Sequence, residues 1–188
     1  MKKNNVTTIA KIALVVFGIA ALQSCTKIGK LLNFNLGMQT ESVNVTIPVT
    51  TGVNGVVTVG PSTNYYNVDS LIKAQTGGQL GASNISSVKL ASVVFKLNNA
   101  NAFNNFQNFE SCSASFYSDA NNTPYKLSID NNPDSYSNSL SLPVDTTTEF
   151  KSYIGTNFYY IFNCKLRRPT TIPLDCTVTF AFNVRVQG

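Results

Sequence analysis

Two stretches near the C-terminus alternate strictly between apolar and other residues, and they constrain the fold more tightly than anything else in the chain. Phe158, Tyr160, Phe162, Cys164 and Leu166 share one parity, and Val178, Phe180, Phe182, Val184 and Val186 share another. Successive side chains of a strand point to opposite faces, so a period of two gives each stretch one apolar face, where a helix would need a period near 3.6. The Pro169–Pro173 connection between them reads as a turn. The expectation is a long C-terminal hairpin whose last strand lies inside a sheet, so that a chain ending at Thr177 would lose the domain.

The same alternation recurs upstream. Leu32, Phe34, Leu36 and Met38 form one candidate strand, and Val43, Val45, Ile47 and Val49 a second. Pro48 has no N–H to give a sheet, so the second should end or lie at an edge there. Gly52, Asn54 and Gly55 precede Val56–Val59. In Ser87–Leu97 the apolar parity changes between Leu90 and Val93, and one extra residue near Ala91-Ser92, a β-bulge, restores a single face. Cys112, Ala114 and Phe116 alternate with serines; Tyr125–Ile129 and Ser139–Val144 are shorter strands around the turn Asp130–Asp134. Two segments have helical spacing: Asn67–Gln75, closed by Gly77-Gly78, and Thr146–Ile154, where Thr146 and Glu149 have the spacing of a capping box. The pattern predicts a single all-β domain over residues 32–188: an Ig-like or Greek-key β-sandwich of about eight strands with two short connecting helices, a closed barrel being the alternative. The abundance of Asn, Ser and Thr beside Phe and Tyr suits sheets with hydroxyl and amide faces.

Ahead of that domain, Lys2 and Lys3 precede the eleven-residue apolar stretch Ile12–Leu22. A bilayer-spanning helix needs about 20 apolar residues, so this length fits the hydrophobic region of a secretory signal. The segment closes on Leu22-Gln23-Ser24-Cys25, which resembles the lipobox of bacterial lipoproteins, in a form similar to that of Bacteroidetes. The resemblance implies a signal peptide over residues 1–24, a diacylglyceryl group on the Cys25 thiol, and a lipidated tether over residues 25–31 that holds the protein to a membrane. Thr26 stands where an Asp would retain such a protein in the inner membrane, and no acidic cluster of the surface-export kind follows Cys25. The implied location is the outer membrane, on its periplasmic face. Lys2, Lys3 and Lys11 account for three of the five net positive charges. Beyond the leader Arg167-Arg168 is the one basic pair, too little for a nucleic-acid surface.

Cys112, Cys164 and Cys176 remain. A hairpin centred on Thr170 places Cys164 directly opposite Cys176, on the apolar face of both strands, and an exported protein meets an oxidising compartment. A Cys164–Cys176 disulfide is expected on that register; pairing of Cys112 with either, and three buried thiols, are the alternatives.

The chain contains no histidine, which removes Ser-His and Cys-His nucleophilic sites and the commonest metal ligand. Its nine acidic residues are scattered, mostly at turns and caps, so no catalytic residue, cofactor or metal is assigned. Asp119–Asn122 and Asp130–Asp134 read as turns rather than calcium loops. Asp69-Ser70-Leu71 and Asp145-Thr146-Thr147 resemble sites that Bacteroidetes O-glycosylate, which makes Ser70 and Thr146 candidates; helix capping explains the same residues. Phe158–Phe162 is apolar on both faces, so Tyr159 and Ile161 are either covered by the Thr146–Ile154 helix, the favoured expectation, or form a stacking platform for sugars or a partner. The expected function is that of a non-catalytic envelope lipoprotein with a binding or structural role. The alternatives are a surface glycan-binding accessory protein and a pilin-like adhesin subunit assembled by strand exchange.

Overall fold

The computed structural model describes residues 33–39 and 42–188; the leader, Cys25, the tether and Glu41 lie outside them. Among the described residues, nine strands form two antiparallel sheets packed face to face. In the first, β1 (Asn33–Gln39) and β2 (Val43–Ile47) follow one another along one edge of β9 (Leu174–Gln187). The other edge of β9 pairs with β4 (Ile85–Leu97), and β4 with β7 (Ser139–Leu142). The second sheet runs β3 (Val56–Tyr65), β8 (Asn157–Leu166), β5 (Phe109–Ser118), β6 (Tyr125–Ile129). With β1 and β2 counted as one interrupted strand, this is the eight-strand, double Greek-key order of a jelly roll. The all-β sandwich with Greek-key connections is therefore the fold.

The two alternating C-terminal stretches bury the faces expected of them, but they are not a hairpin. β8 pairs with β3 and β5, and β9 with β1, β2 and β4, so the two strands lie in different sheets. The connection crosses between layers. Both Arg167 and Arg168 donate their backbone N–H to the Asn108 carbonyl, at 2.8 and 3.0 Å, and Thr170 N–H bonds the Thr50 carbonyl at 3.2 Å. Two strands with one apolar face each cover more of it by facing one another across a core than by lying side by side.

In β4 the register against β9 shifts between Leu90 and Ser92, where the parity change predicts a bulge, and shifts again between Ile85 and Ser87. The two extra residues bring Ile85, Val88, Leu90, Val93, Phe95 and Leu97 to one buried face. β2 ends at Ile47, before Pro48. Helix α1 (Val68–Gln75) starts on Asn67, whose Oδ1 accepts the Ser70 N–H at 2.9 Å, and buries Val68 and Ile72. Among the described residues no helix is long and apolar enough to cross a membrane.

The second expected helix is instead a single 3-10 turn, Lys151–Tyr153. Asp145, not Thr146, gathers the preceding loop: its carboxylate accepts the Thr147 N–H at 2.8 Å and the hydroxyls of Thr147 and Thr148, both at 2.6 Å. Those donors hold the Asp145 carboxyl down to about 2. Glu149 does not reach back to Thr146. It accepts the Val88 N–H and the Ser87 hydroxyl, each at 2.7 Å, and so ties the segment to β4. Phe150 and Tyr153 then close one end of the core against Phe116, with ring centroids 5.5 Å away in both cases. Phe116 also meets Phe180 and Phe182, at 5.6 and 5.8 Å.

Candidate aromatic binding face

The outer surface of the β3-β8-β5-β6 sheet holds the most distinctive group of side chains. On β8 the inward residues Phe158, Tyr160, Phe162, Cys164 and Leu166 are buried, and the outward residues Tyr159, Ile161, Asn163 and Lys165 are half-buried. On β5 the outward set is Ser113, Ser115 and Tyr117. The register sets Tyr117 directly across from Tyr159, and their rings stack with centroids 4.9 Å apart and planes 15° from parallel. On β3, Thr63 opposes Tyr159 and Tyr65 opposes Asn157. Tyr65 therefore stands one diagonal step from Tyr159, about 7–8 Å by strand geometry, with 61% of its surface exposed. Tyr65, Tyr159 and Tyr117 make a row across three strands.

Asp119, just after β5, fixes this end of the sheet. Its carboxylate accepts the backbone N–H groups of Thr156 and Asn157, at 2.9 and 3.1 Å, and the Asn157 side-chain amide at 3.2 Å. The Thr156 N–H, foremost among these donors, holds the carboxyl below its usual range. The strand carrying Tyr159 is thus pinned to the strand carrying Tyr117 just beyond the stack.

Six residues along β8, about 20 Å at the rise of a strand, the face becomes a shallow basin of about 190 Å³. Ser111, Ser113, Lys126, Ser128, Asp130, Asn163 and Lys165 line it. Lys165 pairs with Glu110 at 2.8 Å, and Asn163 accepts the Thr58 hydroxyl at 2.7 Å. An aromatic row that continues into hydroxyl, amide and charged groups is suited to binding by stacking and hydrogen bonding.

The favoured expectation for Tyr159 and Ile161 was coverage by a helix. The 3-10 turn that replaces that helix packs against β4 and the end of the core, and does not cover the face. The sequence reading overlooked Tyr65 and Tyr117. In Tyr117 the signal was legible: it is an aromatic residue at the polar parity of an otherwise serine-lined strand. Tyr65 needed the β3–β8 register.

The other candidate residues are dispersed. Ser70 is exposed in the first turn of α1, where its N–H is taken by Asn67, and Thr146 is exposed in the loop after β7. The neighbouring Asp69 bonds the Ala82 N–H and pairs with Lys73 at 2.7 Å; the lysine, with that N–H, holds its carboxyl below the usual range. Asp134 is committed to Arg168, at 2.5 and 2.6 Å, which lowers its carboxyl as well. Among the described residues no three acidic or cysteine side chains converge as metal ligands. Cys164 and Cys176 lie on facing sheets and are not bonded to each other, because the hairpin that would set them side by side does not form. Burial pushes the Cys176 thiol up to about 12, with Cys164 contributing.

No known family matches the chain, and no curated protein resembles it. Solved structures to which the chain is distantly similar include viral ones. They include one from the infectious bursal disease virus Gt strain, with TM-score 0.38 and 9% identity over 82% of this chain and 33% of that one, so that this chain spans about a third of its length. The 60-mer BFDV capsid protein has TM-score 0.34 and 8% identity over 83% of this chain and 94% of that one. The third, Desmodium yellow mottle tymovirus, gives TM-score 0.26 and 9% identity over 82% of this chain and 89% of that one.

Proposed function

We propose that this chain is a non-catalytic, lipid-anchored binding protein of the cell envelope, held through Cys25 to the periplasmic face of the outer membrane. Its ligand site is the outer face of the β3-β8-β5-β6 sheet. The observation that carries the binding role is the row Tyr65, Tyr159, Tyr117 on three adjacent strands, the last two stacked. Exposed tyrosines on a rigid sheet present flat apolar area at little conformational cost, and the flanking Asn163, Ser115 and Lys126 supply donors and acceptors. That combination favours a carbohydrate as ligand, since a sugar ring offers an apolar face to stack and hydroxyls to bond. β9 is paired along both edges by strands of the same chain, which leaves the strand-exchange adhesin with less support.

A glycan array probed with the purified chain tests this reading. Saturable binding to at least one glycan, weakened tenfold or more by Tyr159→Ala, is expected. Binding that survives Tyr159→Ala and Tyr117→Ala together places the ligand elsewhere. Radiolabelled palmitate incorporation in the host, abolished by Cys25→Ser, checks the anchor.

A further inference from the structure

The β5–β8 register sets Cys112 directly across from Cys164. Both side chains point into the core, 2% and 4% exposed. Directly opposed residues on antiparallel strands have Cα atoms about 4.5–5.5 Å apart, inside the roughly 4.4–6.8 Å window that a disulfide spans. Cys176 projects from the facing sheet into the same interior gap as Cys164. Cys176 has no directly opposed cysteine in its own sheet, its partners there being Val45 and Leu97.

We propose that Cys112 and Cys164 form the protein's native disulfide, with Cys176 as the unpaired thiol. The bond staples β5 to β8, the strands that carry Tyr117 and Tyr159 five residues further along, and so locks the register of the stacked pair. Two thiols lose two protons and two electrons to form one S–S bond. The electrons pass to a disulfide-carrying oxidant, either oxidised glutathione or an oxidised thiol–disulfide oxidoreductase, which leaves as two thiols. One cysteine thiolate attacks the oxidant's disulfide, expelling the first thiolate, and the other then displaces the second from the mixed disulfide. In the folded chain the contact with Cys112, together with burial, raises the Cys164 thiol well above its usual range. Oxidation therefore belongs to the incompletely folded chain, before the core closes. That such an oxidant is met in the cell rests on the export reading; the pairing itself does not.

The decisive experiment refolds the fully reduced, full-length chain in mixed reduced and oxidised glutathione. Remaining thiols are then alkylated in denaturant, and a non-reducing digest is analysed by mass spectrometry. The expected product links the Cys112 and Cys164 peptides and carries the alkyl group on Cys176. Cys176→Ser should leave the link intact. Reducing it should lower Tm by on the order of 10 °C, the scale for closing a loop of this length in a domain of this size. Folded protein with Cys112 and Cys164 both alkylated, or a dominant link that includes Cys176, overturns the proposal. The same digest on protein trapped in its native host separates the two readings: a link formed in glutathione but absent in the cell would overturn export, not the pairing.

Discussion

On the outer face of the β1/β2-β9-β4-β7 sheet, polar side chains bond one another. The hydroxyls of Ser42 and Thr179 share a hydrogen bond of 2.9 Å, and the Thr46 hydroxyl donates to Asp175 at 3.3 Å. Thr177 donates to Asn44 at 2.7 Å and accepts from Asn98 at 2.9 Å. On the opposite side of the sandwich, Tyr65 is 61% exposed and the half-buried Tyr159 and Tyr117 stack on one another. Both faces alternate with the same buried core, and both are rich in hydroxyl groups. The first spends its hydrogen bonds internally, so a ligand there would have to break bonds to make them. The second has apolar area still in contact with water, where a stacked ligand removes that area at no such cost.

The largest perturbation of that contrast removes its common support. Phe116 packs against rings from both sheets, and Phe116→Ala should cost about 3–5 kcal/mol, read as a fall in denaturant midpoint with loss of glycan binding. A chain ending at Thr177 loses most of β9 from the middle of its sheet and should give no cooperative unfolding transition by calorimetry. Next come the faces themselves. Tyr117→Ala with Tyr159→Ala should reduce binding tenfold or more, about 1.4 kcal/mol, while Thr179→Ala leaves binding unchanged by titration calorimetry. Thr177→Val should lower stability by less than about 1 kcal/mol, because an exposed hydrogen bond contributes little net and valine suits a strand; chemical denaturation reads the difference.

The smallest effect is one of pH. Asp145, held down to about 2 by its threonine hydroxyls, has a lower carboxyl pKa folded than unfolded. The stability it contributes is present above pH 4 and is lost as pH falls towards 2. Melting curves of wild type and Asp145→Asn should differ at pH 5 and converge near pH 2.

The parity of the strands was legible residue by residue, because burial on one face is imposed locally by the pleat. Phe158–Leu166 and Val178–Val186 bury the sides that their spacing predicts, and the bulge at Ala91 follows from the same rule. Pairing was not legible, because alternation says which side of a strand is apolar and not which strand lies beside it. A seven-residue link, Arg167–Pro173, serves equally as a hairpin loop or as a crossing between layers. Asn108, which accepts from both arginine N–H groups, decides between them from 59 residues away in sequence. The Cys164–Cys176 pairing depended on that register and went with it. The Thr146–Ile154 helix failed for a similar reason: Glu149 has a stronger partner in the Ser87–Val88 edge of β4 than in its own segment. The platform was half legible, through Tyr159 and Ile161, and completed only when the sheet brought Tyr65 and Tyr117 beside them.

The proposed ligand site is the tyrosine face, and not the threonine face. Titration of isotopically labelled protein with a glycan identified on the array, followed by amide and tyrosine-ring chemical shifts, tests it most directly. Saturable shifts at Tyr65, Tyr117, Tyr159 and Ile161, with Asn44, Thr177 and Thr179 unmoved, are the predicted result. Shifts centred on the β9 face, or no saturable shift with any glycan of the array, would contradict it.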